Sequence, residues 1–178
     1  MKAIETVYKG YRFRSRLEAR WAVYLDVIGW QWDYEPEGFE FADGTRYLPD
    51  FKVNCSEPFW IEVKGPEPSI YEMAQAEKLV EGTKLPLVWA VGLPTPEDVS
   101  GGLLAFHWEE PTSYNRLPAG RVGTGSASID SYCHLKWNRI GWYMGSLDML
   151  DSHTVDACLA AKQARFEFGQ KGVVRGQC

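Results

Sequence analysis

Apolar and polar positions change period several times along the chain, and each change marks an element. Leu17, Trp21, Tyr24, Leu25 and Ile28 recur at helical spacing, with Gly29 as the stop. Ser15-Arg16-Leu17-Glu18 ahead of them is a capping box, in which the serine hydroxyl and the glutamate carboxylate satisfy free amides of the first turn. Residues 30–34 and 38–41 then read as extended, and Asp43-Gly44 is a hairpin turn into a strand over 45–53. Residues 59–64 alternate as a third strand, broken by Gly65-Pro66-Glu67-Pro68. A second capping box, Ser69-Ile70-Tyr71-Glu72, opens a helix to about Glu81 that stops at Gly82. Residues 85–91 are almost continuously apolar, the mark of a strand covered on both faces, and 103–108 resemble them. The order αβββαβ predicts an α/β sandwich with a central mixed sheet. A right-handed crossover would make strands 59–64 and 85–91 parallel neighbours.

The later sequence divides less sharply. Residues 116–128 are rich in glycine and small side chains and read as a flexible loop, with Arg116 and Arg121 as candidate phosphate contacts. Residues 132–143 interleave aromatics with Lys136 and Arg139. That mixture suits stacking on bases, and equally a hairpin packing Trp137 and Trp142 against the core. A terminal helix is expected over 153–168, burying Val155, Cys158, Leu159 and Phe166 and stopping at Gly169. Its basic end, Lys162, Arg165, Lys171 and Arg175, suits DNA or the helix dipole. The whole, 1–178, is read as one domain: a catalytic core over 1–110, a variable insertion over 111–150 and a C-terminal helix over 151–170.

A chain of 178 residues, 45% hydrophobic, suffices for one enzyme-sized core. No apolar run of membrane-spanning length and no secretion signal is evident, so a cytoplasmic protein is expected. Cys55, Cys133, Cys158 and Cys178 are scattered and read as thiols, and the adjacent Cys133-His134 lacks partners for a metal site.

The chemistry concentrates in Leu48-Pro49-Asp50-Phe51 and Trp60-Ile61-Glu62-Val63-Lys64-Gly65, with Glu62 twelve positions after Asp50. Strand alternation puts Trp60, Glu62 and Lys64 on one face and Phe59, Ile61 and Val63 on the other. Asp50 shares its face with Lys52, while Phe51 and Val53 turn to the core. If the two strands pair, Asp50 and Glu62 converge: a divalent-metal site for phosphodiester cleavage, with Lys64 to hold or activate water. Glu62 and Lys64 alone would equally fit a salt bridge on a half-exposed sheet. Glu18, at the border of the first helical stripe, is on local evidence as much a capping residue as a third acid.

Taken together, a helix with an acid (Glu18), a hairpin, Pro49-Asp50, Glu62-Val63-Lys64, a helix and a further strand resemble the PD-(D/E)XK, or restriction-endonuclease-like, nuclease superfamily. The run from Tyr11 to Trp21, with Tyr34-Glu35-Pro36 and Tyr47-Leu48-Pro49-Asp50-Phe51, resembles its small phage and prophage-encoded members. The likeness covers about 8–91 and the tail 161–167. One departure is that the glutamine–tyrosine pair of the exonuclease branch is here Gln75 and Leu79. The resemblance implies a restriction-endonuclease-like α/β/α sandwich and a metal-dependent DNA endonuclease. In that role Asp50, Glu62 and the Val63 carbonyl would bind Mg²⁺ or Mn²⁺. Glu18 would help hold a second ion about 3.5–4 Å away, and Lys64 would serve the water and the phosphate. Oxygen ligands select such hard ions over zinc.

Net charge is −5, yet Lys9, Arg12, Arg14, Arg16 and Arg20 cluster at the start of the first helix. A local basic patch suffices to bind phosphates, although the same arginines suit ion pairs with Glu35, Glu37 and Glu40. DNA is the expected partner, with branched-DNA, nicking or double-strand cutting open. A homodimer would supply two sites for double-strand breaks. The rival expectations are a catalytically silent DNA-binding module, a nuclease subunit of a larger recombination or transposition complex, and a structural or partner-binding domain.

Overall fold

The computed structural model describes residues 4–99, 103–109, 121–129, 135–138 and 152–166. The chain opens with a hairpin of β1 (Thr6–Tyr8) and β2 (Tyr11–Phe13), absent from the pattern-based expectation. Lys9 and Gly10 close it at φ 48° and 88°, the left-handed pair that a two-residue turn between twisted strands requires. Helix α1 (Arg16–Val27) follows, its first turn capped by Ser15, and the chain leaves it through Gly29 at φ 82°.

Next come β3 (Gln31–Tyr34), β4 (Phe39–Glu40), β5 (Arg46–Tyr47), β6 (Phe51–Asn54) and β7 (Phe59–Lys64). The single strand expected over 45–53 is split: β4 and β5 pair as a small separate hairpin, while β6 joins the main sheet. Pro49, which has no N–H to give a ladder, lies in the break. Helix α2 (Ile70–Thr83) carries the full capping box of Ser69 and Glu72. It runs past Gly82 and ends at Lys84 in the left-handed conformation, φ 59°. Strand β8 (Leu87–Val91) pairs parallel with β7, as the crossover predicted.

Beyond it lie β9 (Leu103–Glu109), β10 (Arg121–Ile129), β11 (Leu135–Asn138) and α3 (Ser152–Gln163). The result is an α/β protein with a five-stranded mixed central sheet, β9-β8-β7-β6-β3, which β10 and β11 extend past β9. Part of the expected 116–128 loop is therefore strand β10, antiparallel to β9. Small residues suffice there because the ladder is made by the backbone. Arg116 and Arg139, Cys133-His134, Trp142 and the tail from 167 onward lie outside the described residues, as do the side chains of Arg121, Lys136 and Trp137.

The sheet buries both faces. On one, Phe51, Val53, Phe59, Ile61, Val88 and Ala90 pack with α1 and α3; on the other, Trp60, Leu87, Trp89 and Phe106 pack with α2 and Tyr47. Helix α3 buries Thr154, Ala157, Cys158 and Ala161, whereas Val155 is only half-buried and Leu159 is exposed. The apolar face expected there is thus a row of small side chains, which fits a helix lying against Ala19, Ala22 and Val23 of α1. Cys55 and Cys158 are thiols. Among the described residues no helix is long and apolar enough to cross a membrane.

Candidate active site

Antiparallel pairing of β6 with β7 places Phe51 opposite Ile61. The same register, continued one step, sets Asp50 against Glu62 where β6 begins and β7 nears its end. The expected convergence thus occurs, at the ends of two interior strands. Asp50 is 4% exposed and Glu62 5%, so neither carboxylate is a solvated surface charge. Asp50 Oδ2 accepts the Val63 N–H at 2.7 Å, and Asp50 Oδ1 receives Arg14 Nη2 at 3.0 Å. Glu62 Oε1 pairs with Lys64 Nζ at 2.9 Å, the side-by-side projection that alternation implied. Glu62 Oε2 is buried with no hydrogen-bond partner among the described residues.

Burial, and then the Glu62 charge, push the Asp50 carboxyl well above the usual carboxylate range. Burial raises Glu62 as well, against the opposing pull of Lys64. For Lys64, burial favours the neutral amine, but Glu62 and Glu72 outweigh it and hold the ammonium above its ordinary value. Glu72 Oε1 lies 3.2 Å from Lys64 Nζ, so the lysine is clamped between a strand carboxylate and the first turn of α2. At neutral pH Lys64 is therefore a fixed positive charge.

Glu18 is also buried, at 7% exposed, but its partners differ from the capping box expected. Its carboxylate accepts from the Ser15 hydroxyl at 2.6 Å, the Tyr34 hydroxyl at 2.6 Å and the Arg14 N–H at 3.1 Å, rather than from the Ser15 amide. Arg14 thus stands between Glu18 and Asp50, through its backbone to one and its guanidinium to the other. Among the described residues no three His, Cys, Asp or Glu side chains gather as a ready metal cage.

The Val63 carbonyl has a structural reason to be available. Trp60 donates to the Pro86 carbonyl and Lys64 accepts from the Gly92 amide, so the even residues of β7 turn their backbone groups toward β8 and the odd ones toward β6. Opposite Val63 the register places Pro49, which has no N–H to offer. The two carboxylates, Asp50 and Glu62, with this carbonyl offer an all-oxygen donor set suited to a hard divalent cation. Removing the charge repulsion between Asp50 and Glu62 is what such an ion would do. The fit is to one ion at Asp50, Glu62 and Val63, with Glu18 set back behind Arg14.

Two tyrosines escaped the sequence pattern as site residues, while Glu35 pairs with an arginine of the basic cluster as one expectation had it. Tyr34 orients Glu18. Glu35, at φ 45°, donates its amide to the Asp50 carbonyl at 2.8 Å and places its carboxylate 2.5 Å from Arg14 Nη2. Tyr47, 9% exposed, sets its hydroxyl against the Glu62 carboxylate, and burial, then the Glu62 charge and that contact, push it up. Tyr34 and Tyr47 entered the sequence reading only within the runs that carry the family resemblance, with no site role of their own.

The basic cluster is largely spent on acids. Lys9 pairs with Asp26, Arg12 with Glu5, and Arg14 with Glu35 and Asp50. Glu37 and Glu40, the other expected partners, are taken by Lys52 and Arg46. Of the cluster, only Arg16 and Arg20 have no ion pair among the described residues, and Arg20 Nε is buried without a partner.

No family model matches this chain, and neither a curated protein nor a solved structure matches it.

Proposed function

We propose that this chain is a divalent-metal-dependent DNA endonuclease built on a restriction-endonuclease-like α/β/α sandwich. The observation that carries this reading is the buried Asp50–Glu62 pair on adjacent strand ends, with Lys64 fixed beside it. Two like charges sharing a buried site are costly unless a cation joins them.

Mg²⁺ or Mn²⁺ held by Asp50, Glu62 and the Val63 carbonyl would supply Lewis-acid polarisation of the phosphate and activation of water. The protein's own groups do the rest. Lys64, fully charged, orients the attacking water and offsets negative charge growing on the phosphate. Glu72 fixes the lysine's position, and Glu62 sets its direction. Glu18 and Tyr34 hold the Arg14 backbone at the mouth of the site, and Arg16 and Arg20 are the cations left for the DNA backbone. Cutting both strands calls for two sites, which a homodimer would provide.

The test is incubation of wild type and Lys64→Ala with supercoiled plasmid, linear duplex and a four-way junction, in Mg²⁺, Mn²⁺ or EDTA. Metal-dependent cutting by wild type alone is expected, and the preferred substrate sorts nicking, double-strand and branch-selective activities. Tight DNA binding unaffected by EDTA, with no cutting of any substrate, would instead identify a silent binding module.

A further inference from the structure

Asp50 has two carboxylate oxygens, and both are occupied by the protein. The buried Val63 N–H holds Oδ2 at 2.7 Å, and Arg14 Nη2 holds Oδ1 at 3.0 Å. A cation that takes Oδ1 must therefore displace the guanidinium. The Arg14 backbone is fixed, its N–H donating to Glu18 and to the Tyr34 hydroxyl, both at 3.1 Å. Its side chain is 57% exposed and can swing. Glu35, anchored to the Asp50 carbonyl, gives the guanidinium a second resting place next to the first.

Resting on the nuclease reading, we propose that Arg14 is a DNA-phosphate ligand held in reserve. Its guanidinium neutralises Asp50 until a divalent cation claims Oδ1, and the released fork then grips a phosphate beside the cleavage site. Guanidinium suits both duties, since carboxylate and phosphate present the same pair of oxygens. Metal binding and this one phosphate contact are thereby linked. Without metal, the arginine is withheld from DNA; with metal, it is delivered where it is needed.

The experiment is a Mn²⁺ titration of the DNA-free protein by calorimetry, comparing wild type with Arg14→Met, Arg14→Gln, Arg14→Lys and Arg16→Met. Removing the competing cation should tighten Mn²⁺ binding at least about fivefold in the Met and Gln variants. Arg14→Lys and Arg16→Met should stay within about twofold of wild type, separating occupancy of Asp50 from a general loss of positive charge. A second arm measures duplex binding in a Lys64→Ala background. There Arg14→Met should lower the salt slope by about one in Mn²⁺ and leave it unchanged in EDTA. Mn²⁺ affinity unchanged or weakened in both neutral variants would overturn the inference while leaving the nuclease reading intact, as would an equal slope loss in EDTA. Absence of Mn²⁺ binding to every form, wild type included, would overturn both.

Discussion

Strand β7 shows the molecule two different faces six residues long. Toward α1 and α3 it turns Phe59, Ile61 and Val63 into an apolar core closed by two helices. Toward α2 it turns Trp60, Glu62 and Lys64, and there the buried Glu62 carboxylate meets the buried Tyr47 hydroxyl and the Lys64 ammonium. One face is apolar throughout the strand, and the other buries the Glu62 carboxylate next to Asp50, an electrostatic cost that the first face does not carry. If that division is real, substitutions on the two faces must move stability and activity in opposite directions.

The largest effect belongs to the closed face. Phe59 is fully buried and meets Trp30 edge-on, ring centroids 5.4 Å apart. Phe59→Ala should cost about 3–5 kcal/mol in urea unfolding, the same with or without Mg²⁺. On the other face, Glu62→Gln should lower cleavage at least about a hundredfold. Measured in EDTA at neutral pH, the same variant should unfold at higher urea than wild type, because a buried charge beside Asp50 is gone. A Glu62→Gln protein less stable than wild type under those conditions would erase the contrast between the faces.

The pH dependence carries the same sign. Asp50 and Glu62 are both raised in the folded chain, so the native state binds more protons than the unfolded one as they titrate. Their contribution to stability is complete below the unfolded carboxylate range, about pH 4. It is lost as pH rises through the raised folded values. Metal-free protein should therefore lose stability on going from acid toward neutral pH, and Mg²⁺ should flatten that fall. Asp50→Asn should flatten it without metal. Glu72 behaves oppositely: the Ser69 amide and hydroxyl bring it down to about 2, so its contribution is present above the usual glutamate range and lost below it. Paired urea melts at several pH values, with and without Mg²⁺, separate the two.

What the sequence made legible was the part governed by local rules. Alternation in 59–64, the cap at Ser15 and the apolar run before Val91 each have one structural solution once a sheet is assumed, and pairing Asp50 with Glu62 follows from register. Hidden from it were features decided by distant partners. The β1–β2 hairpin rests on a positive φ at Lys9, a residue with no preference for it. Helix α2 continues through Gly82, because a glycine costs a helix only about 1 kcal/mol and does not by itself end one, and Leu79 and Val80 beside it are buried. Strand β10 is recruited by the open ladder of β9, not by its own apolar content. The choice of acid by each arginine was equally unreadable, since Arg14 reaches 36 positions along the chain to Asp50.

The smallest effect lies outside both faces and sets the baseline for the comparison. Arg12 is 77% exposed and its partner Glu5 71%, with 3.6 Å between them. Solvent screens such a pair, and fixing two long side chains costs entropy, so Arg12→Ala should shift unfolding free energy by less than about 0.5 kcal/mol. Arg12 makes its ion pair with an exposed carboxylate and none with a buried one among the described residues, so Mn²⁺ affinity should stay within about twofold of wild type. Its one measurable duty would be a DNA phosphate, in which case the salt slope of duplex binding drops by about one while stability stands still. An unchanged slope would confine the DNA contacts to Arg14, Arg16 and Arg20, at the start of α1.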